Sequence, residues 1–181
     1  MKKILLLFLL LSTIHIHAQI KMVTIQASGL TCSLCSNAIF KSLKTVDYID
    51  EVKVDIKQSS FNIYFKPSAS VDFDQLKSKV EKAGFFVANF DVVLNFDQLI
   101  ISENTHKEMN GLLFHFLHTP EGKLNGEKTI RVIDKGYVTN KEFKKFGSYT
   151  TMHCFKTGYT ESCCNKIGFT SGKRIYHVTI I

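Results

Sequence analysis

The chain has 181 residues, 45% of them hydrophobic, and 23 lysines and arginines against 16 acidic residues give a formal charge of +7. The lysines are scattered among acidic residues, without the basic stripe and interleaved exposed aromatics that nucleic acid requires, so that class of partner is excluded. Fifteen phenylalanines and no tryptophan describe a packed globular chain with β structure, long enough for one medium domain or two small ones.

Lys2 and Lys3 precede an apolar run from Ile4 to Ile14, and Ala18 supplies a small residue at a cleavage point. A membrane span needs about 18 or more apolar residues, so residues 1–18 read as a signal peptide. The expected location is periplasmic or secreted, with no stable membrane insertion after cleavage. No cysteine stands directly after the apolar run, so no lipid anchor is expected. All five cysteines (Cys32, Cys35, Cys154, Cys163, Cys164) lie beyond it. An oxidising compartment permits disulfides, and an odd count leaves at least one thiol free, intermolecular or metal-bound.

Residues 19–94 read as a first domain. Met22 to Ala27 alternates apolar and polar, as a half-buried strand does. Gly29 loosens the following loop and Thr31 can cap the next helix, whose core face is Ile39, Leu43 and Val46. Val52, Val54 and Ile56 alternate, a turn follows at Gln58-Ser59-Ser60, and Phe61, Ile63 and Phe65 alternate up to Pro67, which predicts a hairpin. Phe73, Leu76, Val80 and Ala83 mark a second helix with Gly84 at its C-terminal cap. Phe85 to Leu94 is apolar enough for a fourth strand. The predicted order is βαββαβ, an α+β ferredoxin-like unit.

Cys32 and Cys35 fall where the first strand turns into the first helix. Unpaired backbone N–H groups and the positive helix end favour thiolates there. Two thiolates three residues apart can close on one soft cation, and Cu(I) is the best match, with Hg, Ag and Zn as further thiophilic candidates. A redox dithiol and half of a zinc site are the other readings of such a pair. Trp-Cys-Gly before the pair and a cis-proline opposite it, the usual signs of a thioredoxin-like dithiol, are missing. Structural zinc would want two further ligands within this domain. A disulfide between Cys32 and Cys35 remains open as the resting state.

The loop Gly29-Leu30-Thr31-Cys32-Ser33-Leu34-Cys35, with Lys82-Ala83-Gly84-Phe85 closing the second helix, resembles the heavy-metal-associated domain family. That family includes copper chaperones, the N-terminal modules of copper-exporting ATPases and the periplasmic mercury-binding protein. The resemblance implies that Cys32 and Cys35 are the metal ligands and that Phe85 or Phe86 lies near the metal loop. It also implies a metal-donor or metal-acceptor protein as partner, such as an efflux component. Leu30 replaces the family's Met with similar volume and polarity, which leaves the ligand assignment standing. Where Phe85 or Phe86 stands, cytosolic chaperones of the family often carry Lys, so metal identity is less constrained here.

Residues 95–181 read as a small β-rich domain, a partly open barrel, of no family that the residues identify. Asn95 to Ile101 predicts a strand, Ser102 to Gly111 a loop, and Leu112 to His118 and Thr129 to Ile133 short strands. Asp134-Lys135-Gly136 predicts a turn. Thr139 to Glu142 predicts a capping box for a helix through Phe146, and Arg174 to Ile181 a closing strand. His115 and His118 would point to opposite faces of a strand, so no joint site is expected. A disulfide from Cys154 to Cys163 or Cys164 is favoured over a second soft-metal site using His153. His177 reads as structural.

The functional expectation is an exported soft-metal-binding protein that holds and transfers Cu(I), with no catalytic residues and no enzymatic activity. Two alternatives stand beside it. One is a thiol–disulfide oxidoreductase with Cys32 as nucleophile and Cys35 as resolving thiol; the other is a partner-docking module of a metal efflux system.

Overall fold

The computed structural model describes residues 19–30, 33–165 and 168–181. The expected signal peptide lies outside them. Along the chain run β1 (Gln19–Ser28), α1 (Ser33–Lys44), β2 (Ile49–Asp55), β3 (Ser60–Phe65), α2 (Phe73–Lys82) and β4 (Phe86–Ile101). Then follow β5 (His106–Met109), β6 (Leu112–Phe116), β7 (Gly122–Val132), α3 (Asn140–Gly147), α4 (Cys154–Thr157), α5 (Ser162–Asn165) and β8 (Ile175–Ile180). No helix among the described residues is long and apolar enough to cross a membrane.

The strands form one sheet in the order β2-β3-β1-β4-β7-β8-β6-β5. Its first four positions are the ferredoxin-like βαββαβ arrangement expected from the alternation of apolar residues. Register follows the apolar pattern, with Val23 opposite Ile63 and Val92, and Ile25 opposite Phe61 and Phe90. Local signals set the second helix: Asp72 caps α2 by accepting from the Gln75 N–H at 3.0 Å, and Gly84, at φ +89°, ends it. On the outer strand β2 only Ile49 and Val52 are buried; Val54 is partly open and Ile56, beyond the strand's end, is 66% exposed.

The expected boundary at residues 94 and 95 falls inside β4, which continues, with a bulge between Phe96 and Leu99, to Ile101 and takes in the separately predicted Asn95–Ile101 strand. Along its far edge β4 pairs with β7, and β8, β6 and β5 follow. The second part therefore extends the sheet instead of curling into the partly open barrel. The segment predicted as a loop, 102–111, contains β5, and β7 begins seven residues before the predicted Thr129. Among the described strands, all pairings are antiparallel except β6 with β8.

One apolar core runs through both parts. Phe73, the first residue of α2, has its ring 5.1 Å from Phe90 in β4, 6.2 Å from Phe114 in β6 and 5.1 Å from Tyr176 in β8. Phe114, Phe116, Tyr176 and Val178 join this core. Alternation sends Leu113, His115, Ile175 and His177 to the opposite face, where the short helices α4 and α5 pack against Leu113, Ile175 and His177. Burial on both faces is why β6 reads as an almost unbroken apolar run.

Candidate metal centres

The first candidate is the end of β1. Gly29, at φ +81°, turns the chain out of the strand, a conformation that costs a residue with a Cβ. Leu30 is half-buried and packs on the core, the place expected for a residue standing in for Met. Thr31 and Cys32 lie outside the described residues. Cys35 is the third residue of α1 and half-buried, while its neighbour Leu34 is 77% exposed, so this turn of the helix reaches solvent. Ile39 and Leu43, one and two turns on, anchor α1 in the core.

The expectation of an aromatic near this loop resolves into two roles. Phe85 is half-buried and packs on the core. Phe86 opens β4, is 73% exposed, and pairs in register with Ser28, whose hydroxyl donates to the Phe86 carbonyl at 3.3 Å. Backbone pairing thus brings Phe86 beside the residue that precedes Gly29.

The second candidate lies on the opposite face of the sheet, around β6, three strands beyond β4. From β1 to β6 there are four strand spacings of about 4.8 Å, roughly 19 Å across the sheet, too far for the two places to share one ion. The sulfurs of Cys154, Cys163 and Cys164 lie within 4.8 Å of one another, with 3.7 Å between the last two. The expected disulfide is absent; all three are thiols. One ring nitrogen each from His106 and His115 lies within 4.8 Å of the other and of the Cys154 sulfur, and His106 Nε2 is 4.0 Å from the Cys164 sulfur.

Burial raises the Cys154 thiol well above its ordinary value, with the neighbouring thiols adding to it. Burial opposes ionisation of Cys163 too, but backbone groups of Cys154 and His153 and the thiols of Cys164 and Cys154 bring it below the ordinary value. Burial keeps both imidazoles neutral, and His115, beside the rings of His177 and His106, is pushed down to about 2.

His153 does not join this cluster. It is exposed, with Nδ1 2.6 Å from Glu161 Oε2. His118 lies beyond the end of β6 at φ +50°, stacked on Tyr149 at 4.2 Å. It stands apart from His115, which is buried. His106 escaped the sequence reading because 102–111 reads as polar loop. The signal for it was Asn110-Gly111: both have positive φ, and as a two-residue turn they place His106 opposite His115 across the hairpin.

A polar chain joins this face to α2. Arg174 grips Asp74 through Nε to Oδ2 (2.8 Å) and Nη2 to Oδ1 (3.2 Å), and reaches Asp134 Oδ2 at 2.9 Å. The hydroxyls of Tyr137 and Tyr176 also donate to Asp74, at 2.6 and 3.0 Å. Burial works against the Asp74 charge, but these donors and the guanidinium outweigh it and hold the carboxyl below its ordinary value. Asp134 Oδ1 accepts from His177 Nδ1 at 2.7 Å, which gives His177 the structural role expected of it, and the His177 ring lies 4.9 Å from His115.

Taken with the sheet order, the first candidate is a βαββαβ unit with a cysteine at its first strand–helix junction. Residues 24–86 match the heavy-metal-associated domain model, and this part of the chain is a heavy-metal-associated domain. Over 57 residues the chain is 37% identical to a copper-exporting P-type ATPase of Staphylococcus saprophyticus, covering 32% of this chain and 7% of that protein. Over 76 residues it is 30% identical to the copper-exporting P-type ATPase of Bacillus subtilis, covering 40% of this chain and 9% of that one. The chain therefore spans under a tenth of the length of these curated relatives. Among solved structures, a copper-binding domain from a P-type ATPase is 28% identical, with 36% of this chain and 86% of that one covered at a TM-score of 0.33. Every one of these matches leaves most of the chain outside it.

Proposed function

We propose that the protein is an exported carrier that binds Cu(I) at Cys32 and Cys35 and passes it to a partner protein. The observation that carries this reading is the heavy-metal-associated match over residues 24–86, with Cys35 in the first turn of a helix that reaches solvent. Copper comes from the named activity of the relatives, and it suits a two-thiolate site. In this reading residues 1–18 direct export to the periplasm or beyond and are removed. Residues 19–94 carry the cargo, and residues 95–181 are a β-rich domain fused to them through β4.

Transfer needs no redox step. A thiolate of the partner adds to the two-coordinate ion and one carrier thiolate leaves; a second partner ligand then replaces the remaining carrier thiolate, so the ion passes over by ligand exchange without electron transfer. Gly29 lets the loop turn away from the sheet, Leu30 anchors its base in the core, and exposed Leu34 and Phe86 offer an apolar rim for a docking partner. That partner would be a metal donor or acceptor such as an efflux component. No side chain in this scheme does catalytic work.

Anaerobic competition between the reduced protein and a Cu(I) chelator tests it. Cys32→Ser and Cys35→Ser should each weaken uptake of the first equivalent by on the order of 100-fold, about 2.7 kcal/mol. First-equivalent affinity that is unchanged in the double variant would remove the loop as the cargo site.

A further inference from the structure

The cluster on the opposite face belongs to neither the heavy-metal-associated match nor the carrier mechanism. We propose that Cys154, Cys163, Cys164 and His106 form a second, resident site for one thiophilic ion of tetrahedral preference, Zn(II), with His115 alongside as a second imidazole.

The donors come from separate elements: β5 supplies His106, β6 His115, α4 Cys154, and α5 the adjacent Cys163 and Cys164. Such convergence of three sulfurs and two imidazoles does not follow from packing alone. The spacing fits a tetrahedron. Zinc–sulfur bonds of about 2.3 Å make a tetrahedral edge of about 3.8 Å, and the Cys163 and Cys164 sulfurs stand 3.7 Å apart. The three sulfurs lie within 4.8 Å of one another, His106 lies within 4.8 Å of the Cys154 sulfur, and its Nε2 is 4.0 Å from the Cys164 sulfur. His106 is preferred over His115 as fourth ligand because it reaches both Cys154 and Cys164.

A single residue sets the orientation of both imidazoles. The backbone carbonyl of Asn104 accepts from His106 Nδ1 at 2.8 Å, and its side-chain oxygen lies 3.2 Å from His115 Nε2. Neither oxygen can donate, so each of those nitrogens carries the proton. The lone pairs are left on His106 Nε2, toward Cys164, and on His115 Nδ1. His115 Nδ1 is fully buried with no hydrogen-bond partner. A buried acceptor in that condition is costly unless something binds it. Asn104 sits at φ +64°, a strained backbone that lets one residue address both rings, as outer-shell groups do at metal sites.

Leu113 and Ile175 form the floor, and Met152 and Phe169 pack around the sulfurs. No carboxylate belongs to the ligand groups, so hard cations have nothing to bind, whereas three thiolates with an imidazole are a zinc donor set. Apolar walls and four protein ligands make a closed, structural type of site, which would retain its ion.

The test uses the full chain carrying Cys32→Ser and Cys35→Ser, so the carrier loop contributes no sulfur and the outcome does not depend on that reading. Reduced and titrated with Co(II), it should take up about one equivalent with tetrahedral d–d bands and sulfur-to-cobalt charge transfer, both abolished by one equivalent of Zn(II). Adding Cys163→Ser or His106→Ala, both at half-buried positions, should weaken uptake at least tenfold. In the unaltered chain, Zn(II) should slow alkylation of Cys154, Cys163 and Cys164, read cysteine by cysteine by mass spectrometry. That last measurement stands even if a variant fails to fold. A folded chain that takes up no Co(II), uptake indifferent to Cys163→Ser and His106→Ala, or alkylation of the three thiols unchanged by Zn(II) would each overturn the proposal.

Discussion

Residues 19–94 and 95–181 share a strand and a core, yet they hold sulfur in contrasting ways. Cys32 and Cys35 are three positions apart in sequence, and Cys35, half-buried, stands in the first turn of a helix that reaches solvent. Cys154, Cys163 and Cys164 sit under apolar side chains, and the histidines beside them come from some 40 to 60 positions earlier in the chain. Two ligands beside a helix turn that reaches solvent would leave an ion kinetically open, which suits the proposed exchange. A buried set of four or five donors is closed, which suits retention. If both proposals hold, the difference teaches that one chain can present the same soft chemistry for passage and for permanence by changing coordination number and burial.

The sharpest way to break the comparison is at the shared core. Phe73→Ala removes a ring that touches Phe90 on one side and Phe114 and Tyr176 on the other. It should cost about 3–5 kcal/mol in denaturant unfolding and loosen both parts together in a single transition. Two transitions, with only one of them shifted, would show that the parts fold independently.

A smaller effect is expected at the polar bridge. Arg174→Met strips Asp74 of its cation and leaves the buried Asp134 with His177, and should cost about 2–3 kcal/mol near neutral pH. The same contacts set a pH dependence. The Asp74 carboxyl is held below its ordinary value of 3.8 when folded, so the unfolded chain binds the proton more readily. Its contribution is complete above about pH 4 and is lost as pH falls through the lower, folded value. Asp74→Asn should flatten that acid limb of the stability curve; an unchanged limb would place the acid sensitivity elsewhere.

The smallest change tests a local signal. Thr139 and Glu142 form the capping box that opens α3, with the Thr139 side chain accepting from the Glu142 N–H at 3.3 Å. Thr139→Ala should cost about 1 kcal/mol and leave metal uptake at both sites unaltered. Loss of Co(II) uptake in this variant would tie α3 to the cluster face more tightly than its contacts imply.

The legible features were those governed by neighbours along the chain. Alternation in Met22–Ala27 and Phe61–Phe65, helical spacing of Ile39 with Leu43 and of Phe73 with Leu76 and Val80, and the Thr139 capping box each describe contacts made within a few residues. They were sufficient for the βαββαβ order and for placing Cys35 at the helix start. The hairpin holding His106 was missed although Asn110-Gly111 marks it, because polar composition outweighed a two-residue turn signal. His153 attracted attention through its place beside Cys154, but its ring turns to Glu161.

By itself, the amino-acid order determined the order of elements within residues 19–94 and the place of Cys35 at the start of α1, because propensity, periodicity and capping act locally. Only the tertiary structure decided that β4 carries the sheet past residue 95, that β8 inserts between β6 and β7, and that Asn104 aims two histidines toward three thiols. Those outcomes depend on strand pairing between segments tens of residues apart. No local pattern encodes which partner a strand will take, and that choice alone brings His106 and His115 to Cys154.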